Sequence, residues 1–225
     1  MAEPGWHIEP IAYENLRRLA RCHRRCFPGY FLSNLGERFI ALFYQDILES
    51  PIGLGFVAVD DDSGDVVGLV AGNLDGTAFL AWSFRRHLCR KALQVFAQLF
   101  RSLRLWGQLA SRVCGAAGSA VRRLTGRRGS SGGLHPLDAR ARLLSIGVVP
   151  ERRGTPIGAE LIRRFEEACG QRGESRVGLS VFADNARAIR FYEKTGWVRL
   201  EGVGPGVRFV REVATSQKNP GTKSS

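Results

Sequence analysis

The chain predicts an α/β (α+β) fold: a central mixed, mostly antiparallel sheet, flanking helices, and a basic helical insertion between strands 3 and 4. Three observations predict it. An apolar run, Leu143 to Val149, reads as a buried strand. It passes through Pro150-Glu151-Arg152-Arg153-Gly154 into a helical pattern with Ile157, Leu161, Ile162, Phe165 and Cys169 on one face. A second strand, loop and helix follows from Arg176 to Lys194. Charge is segregated: between Trp82 and Leu137, ten Arg and one Lys, with no Asp or Glu, carry eleven of the twelve net positive charges.

The elements follow in order. Trp6 to Ile11 reads as a first strand, with Pro10 at its end or edge. Asn15 caps a helix whose Leu16, Leu19, Ala20 and His23 share a face, and Pro28-Gly29 stops it. Ser33 caps a second helix carrying Leu35, Phe39, Leu42, Phe43, Ile47 and Leu48, which Pro51 terminates. Leu54 to Asp60 and Val66 to Asn73 form a hairpin around an acidic turn. That turn lacks the alternate spacing and distal Glu of a calcium loop. The basic insertion covers about residues 82–137, and Gly129-Ser130-Ser131-Gly132-Gly133 returns the chain as a flexible linker. Leu143 to Val149 is the central strand. Pro156, well placed at a first helical position, opens the helix to Gly170. Arg176 to Phe182 is the next strand. Asp184 or Asn185 caps a helix to Lys194, and Gly196 closes it. Trp197 to Val203 and Val207 to Val213 make a last hairpin. Residues 214–225 read as a disordered tail, so 1–213 is a single domain.

Composition narrows the class. Apolar residues make up 44% of the 225, ample for a core. No apolar run approaches the roughly 18 residues of a membrane span, and the N-terminus shows no basic start or apolar signal region. The cysteines are odd in number and scattered, which suits free thiols in a reducing, cytoplasmic setting. Cys22, His23 and Cys26 lie within one helical turn, but no second ligand pair accompanies them, so no metal is assigned.

Two motifs carry the chemistry. The first is Arg152-Arg153-Gly154-Thr155-Pro156-Ile157-Gly158, a basic, glycine-bearing strand-to-helix loop. Such loops cradle anions, because the free amides of a first helical turn and the helix dipole both favour negative charge. The second runs from Asn185 to Trp197, with Ala188, Phe191, Tyr192 and Gly196 between. Together they resemble the acetyl-CoA-binding core of the GNAT family of N-acetyltransferases. That family has a Q/R-x-x-G-x-G/A pyrophosphate loop and an Asn-x-x-Ala-x-x-Phe-Tyr helix ending in Gly and an aromatic residue. The second pattern is complete here. The first has Arg153 and Gly158 at its ends but Pro156 in place of its central Gly.

The resemblance implies acetyl transfer from acetyl-CoA, as cosubstrate, to an amine acceptor. It implies that Arg152, Arg153 and the amides from Gly154 through Thr155 to Gly158 hold the pyrophosphate. It implies that the strand edge at Ile146 to Val148 pairs with the pantetheine arm like an added strand, where the fourth and fifth strands part. A backbone N–H near Val148 then steadies the oxyanion, a donor typically contributing ~3–4 kcal/mol. Tyr192 is the candidate general acid for the departing thiolate, and Asn185 bonds the cofactor arm. The aromatic connector from Cys26 to Leu32 corresponds to a wall of the acceptor pocket. The family's frequent strand-4 Glu has no counterpart; Glu9, Glu37 and His23 are alternatives among which the sequence does not choose, and Ser145 can relay through water.

The leading expectation is an N-acetyltransferase for a small or sugar-linked amine. The alternatives are a protein N-terminal acetyltransferase of the ribosomal-protein alanine type and a non-catalytic acyl-CoA sensor. The insertion reads as an amphipathic helix whose charged positions are all cationic. It is expected either to dock on an anionic membrane surface or to pack its apolar stripe on the core or a second subunit, giving a homodimer. Nucleic acid is disfavoured, because Phe96 and Trp106 fall on the apolar stripe.

Overall fold

The computed structural model describes residues 5–83, 139–200 and 206–215. Seven strands form one sheet in the order β1-β2-β3-β4-β5-β7-β6. They are β1 (Trp6–Pro10), β2 (Gly53–Asp60), β3 (Val66–Asn73), β4 (Ala141–Val148), β5 (Arg176–Phe182), β6 (Val198–Leu200) and β7 (Gly206–Glu212). Neighbours are antiparallel except β4 and β5, which are parallel. This is the mixed, mostly antiparallel sheet expected from the order of elements and the resemblance.

Helices cover both faces. On one lie α1 (Leu16–Cys26) and α3 (Glu37–Glu49); on the other lies α4 (Ile157–Gln171). The stripes read from the sequence are the buried ones: Leu16, Leu19, Ala20 and His23 on α1, and Ile157, Leu161, Ile162, Phe165 and Cys169 on α4. β3 is buried along its whole length between them. Its Gly68 faces α4, where an added Cβ would meet Ile157 Cγ2 at 2.8 Å and Leu161 Cδ1 at 2.9 Å. α5 (Ala186–Lys194) packs beside β6.

Two expectations change. The second helix is not one piece from Ser33. A turn, α2 (Phe31–Asn34), ends before Gly36, whose φ of 87° lies in the left-handed region, and α3 starts after it. Residues 76–83 are also helical, earlier than the predicted insertion. Asp75 caps them, its Oδ1 accepting from the amides of Thr77 and Ala78 at 3.0 Å each. The predicted helix of the basic insertion, the glycine-serine linker and residues 216–225 of the tail lie outside the described residues. No described helix is long and apolar enough to cross a membrane.

Candidate active site

The site begins with a defect in β4. Ala71 pairs with Ser145, but Gly72 pairs with Leu143, so Leu144 is an extra residue on its strand. Such a bulge bends a strand and increases its twist. On the β5 side, parallel pairing is confined to Ala141 with Val177 and Arg142 with Gly178, just before the bulge. Beyond it the two strands part. The Val149 amide donates to Val67 O at 2.9 Å. By the alternation of an antiparallel ladder, Ser145, Gly147 and Val149 therefore turn their peptide groups toward β3, and Ile146 and Val148 turn theirs into the gap.

A cavity of about 970 Å³ runs along this gap. Ser145, Ile146 and Ser180 line it from the parted strands, and Asn185, Ala188 and Tyr192 from the α5 side. Phe27, Tyr30, Phe31 and Leu32 close it from the aromatic connector. Tyr192 is 6% exposed. Its ring rests on Trp197 and Phe209, with centroids 5.8 and 5.6 Å away. Burial pushes its phenol above the ordinary value, so it stays protonated at neutral pH. Asn185 caps α5, its Oδ1 accepting from the Ala188 amide at 3.1 Å. Its Nδ2 donates to the Tyr30 phenol at 3.3 Å. That bond links the connector to the α5 side of the cleft.

The cradle loop separates its two arginines. Arg152 is paired with Asp60 at the end of β2. Arg153 lies on the cleft side and donates Nε to Val148 O at 3.2 Å. Gly154 has a φ of 86°, and Thr155 Oγ1 donates to Arg152 O at 2.7 Å, so the loop is a tight turn. Pro156 is the N-cap rather than the first helical residue. Gly158 lies in the first turn of α4, where an added Cβ would be in ordinary contact with the Phe191 ring. Arg187, in the first turn of α5, is a cation that sequence reasoning missed. The Cys26 thiol reports the combined field. After its hydrogen bond to Cys22, the charges of Arg153, Arg25 and Arg187 help hold it below the ordinary value against the opposing effect of burial.

The candidate bases separate clearly. Glu37 is paired at the surface with Arg24 at 2.9 Å, and Glu9 accepts from Asn15 at 3.1 Å. Of the three, His23 lines the cavity. Its Nδ1 lies 2.8 Å from the phenol oxygen of the fully buried Tyr44, which the Ser145 hydroxyl also approaches. Burial lowers the His23 pKa from 6.5 to about 4, so the imidazole is neutral at pH 7. The unfolded chain takes up this proton as pH falls through 6.5, while the native chain does so only near 4. Stability from this residue is therefore intact above about pH 7 and declines between those values, by on the order of 3 kcal/mol in all. Urea midpoints from pH 7.5 to 4 should show this decline, and His23→Gln should flatten it.

The pattern that defines the acetyltransferase (GNAT) family matches residues 115–197. Over that stretch the chain resembles the GNAT acetyltransferases. A curated relative, the uncharacterized protein YxbD of Bacillus subtilis (strain 168), is 36% identical over 76 residues. That match spans 34% of this chain and 43% of YxbD, less than half of the relative's length. Among solved structures, SsHAT superposes with a TM-score of 0.58 at 19% identity, covering 94% of this chain and all of its own. The PaiA N-acetyltransferase of Thermoplasma acidophilum, solved with coenzyme A, gives 0.54 at 14%, covering 92% of this chain and 99% of its own. At these identities the structures establish a shared GNAT fold.

Proposed function

We propose that this chain is an N-acetyltransferase that moves an acetyl group from acetyl-CoA to the primary amine of a small molecule, amino sugars among them. The observation that carries the reading is the parting of β4 from β5 over a cavity walled by Asn185 and Tyr192. The residues fit the cosubstrate. The peptide groups of Ile146 and the N–H of Val148, released by the splay, match the amides of a pantetheine arm; the Val148 carbonyl is held by Arg153. Arg153, Arg187 and the amides opening α4 match a pyrophosphate.

Acetyl-CoA supplies an activated acetyl thioester and leaves as a thiol. The chain's own groups do the rest. The Val148 amide offers a fixed donor to developing negative charge. Tyr192, kept protonated by burial, gives its proton to the departing sulfur. Ser145, on the same sheet face as His23, offers an acceptor for the amine proton, with Tyr44 and His23 behind it. The aromatic connector keeps water from the reacting groups.

Two measurements test this. Calorimetry should show acetyl-CoA binding, and a panel of amines should show acetyl-CoA-dependent thiol release. An absence of release across amino sugars, polyamines and N-terminal peptides would overturn the activity. The phosphate assignment has its own variants. Arg153→Ala should weaken binding by roughly 10–100-fold, the effect of losing a charge-assisted contact. Pro156→Gly should leave affinity level or slightly higher, because it restores one N–H to the loop. Unchanged affinity in Arg153→Ala would remove that residue from the cradle.

A further inference from the structure

The cavity continues past the point where β4 and β5 meet, toward the end of β3. There it reaches Asn73, which is 1% exposed. Both polar atoms of the carboxamide, Oδ1 and Nδ2, are sealed from solvent and have no hydrogen-bond partner among the described residues. Buried polar side chains are normally paired, and an unpaired donor and acceptor on one residue are costly to the fold. A leucine of nearly the same shape would avoid that cost.

The backbone holds Asn73 firmly. It pairs with Arg142 across the ladder and with Gly53 on β2, and the next amide, Leu74, donates to Ile52 O at 2.8 Å. The pairing register puts Asn73 on the same sheet face as Ala71 and Ser145, the face covered by α1 and its His23. Its neighbours at this end do not call for a charged ligand. The Asp75 carboxylate is already used, one oxygen by the cap of residues 76–83 and the other by Arg140 at 3.1 Å. Phe79 and Leu80 form an apolar wall. Arg140 and Arg142 also line this end, but both are engaged, so among the described residues a charge placed here would lose water and meet no free counter-charge. A neutral group that both donates and accepts would satisfy both ends of the carboxamide.

We propose that Asn73 determines acceptor specificity, selecting amines that carry a neutral hydrogen-bonding group, a hydroxyl or a carboxamide, near the nitrogen to be acetylated. This rests on the acetyltransferase reading above and adds the substrate class to it.

The test compares three matched acceptors: an amino alcohol, an amino carboxamide and the alkylamine of the same length. The wild-type chain is expected to favour at least one polar member over the alkylamine by about 10-fold or more in kcat/KM, the discrimination of one or two hydrogen bonds. The member favoured distinguishes hydroxyl from carboxamide. Asn73→Leu should flatten the preference to within about threefold and leave acetyl-CoA affinity unchanged. A preference that persists in Asn73→Leu, or none in the wild type, overturns the proposal.

Stability separates recognition from packing without any turnover. Removing an unpaired buried amide should raise Tm by about 2–4 °C in Asn73→Leu. A lower Tm would make Asn73 a structural residue and overturn the proposal. If no amine releases thiol, the acetyltransferase reading fails by itself. The subsite is then read by calorimetry, in which the polar amines should bind the wild type at least about 10-fold more tightly than they bind Asn73→Leu. Equal binding overturns the subsite.

Discussion

Tyr192→Phe should lower turnover by ~10²–10⁴-fold while leaving acetyl-CoA affinity within about twofold. The substitution removes one oxygen and keeps the ring. Its packing on Trp197 and Phe209 is apolar and survives the change. The wild-type phenol stands on the cavity wall in surroundings that hold its pKa up, so ionisation does not take the proton away before it is needed. A raised pKa also makes the phenol a weaker acid. The transfer therefore depends on the leaving sulfur being equally poorly solvated, and the aromatic residues on the cavity wall favour that condition. The measurement is kcat with the best amine of the panel, beside calorimetric affinity for acetyl-CoA. Full turnover in the Phe variant would reduce Tyr192 to a packing residue.

The second large effect falls on the fold. Gly72→Ala should destabilise the protein by about 3 kcal/mol or prevent folding. A methyl group there would lie 2.1 Å from the carbonyl oxygen of Arg142 and 2.6 Å from Phe165 Cζ. The first atom is backbone in the short stretch where β4 pairs with both neighbours. Moving it breaks the ladder at the root of the cleft. Gly158→Ala is the control for folding: its methyl would meet Phe191 at 3.4 Å, an ordinary contact, and alanine favours a helix. Denaturant midpoints of the two variants should differ by most of the predicted energy. Equal midpoints would mean that the bulge has room that the packing does not show.

Much of this architecture is legible in the residues. β3 is found from Val66 to Asn73 and β5 from Arg176 to Phe182, because fully apolar or alternating runs bounded by turns leave little choice. Asn185 announces its helix, since its side chain and the spacing to Tyr192 are local facts. What stayed hidden depends on partners distant in sequence. Nothing in Leu143-Leu144-Ser145 marks Leu144 as the bulged residue; the register of β3 decides it. Arg152 and Arg153 look equivalent until Asp60, on another strand, engages one of them. Asn73 ends a strand unremarkably in sequence, and its isolation is visible only once its neighbours are in place. Asp75 is a different case, because a cap followed by an apolar run was there to be read.

The parted strands also bear on how the molecule breathes. Along the β4–β5 seam, among the described residues, two residue pairs carry the strand pairing between a four-stranded half, β1 to β4, and a three-stranded half, β5 with β7 and β6. Deuterium should enter the Ile146 and Val148 amides early, although they sit in the middle of a sheet, because no ladder bond shields them. Transient separation along this seam should cost less than global unfolding and expose the β5-β7-β6 half as a unit. A ligand lying in the gap would bond to one half and press on the other. Its binding should slow exchange on both sides of the seam together, so that two loosely coupled halves melt as one.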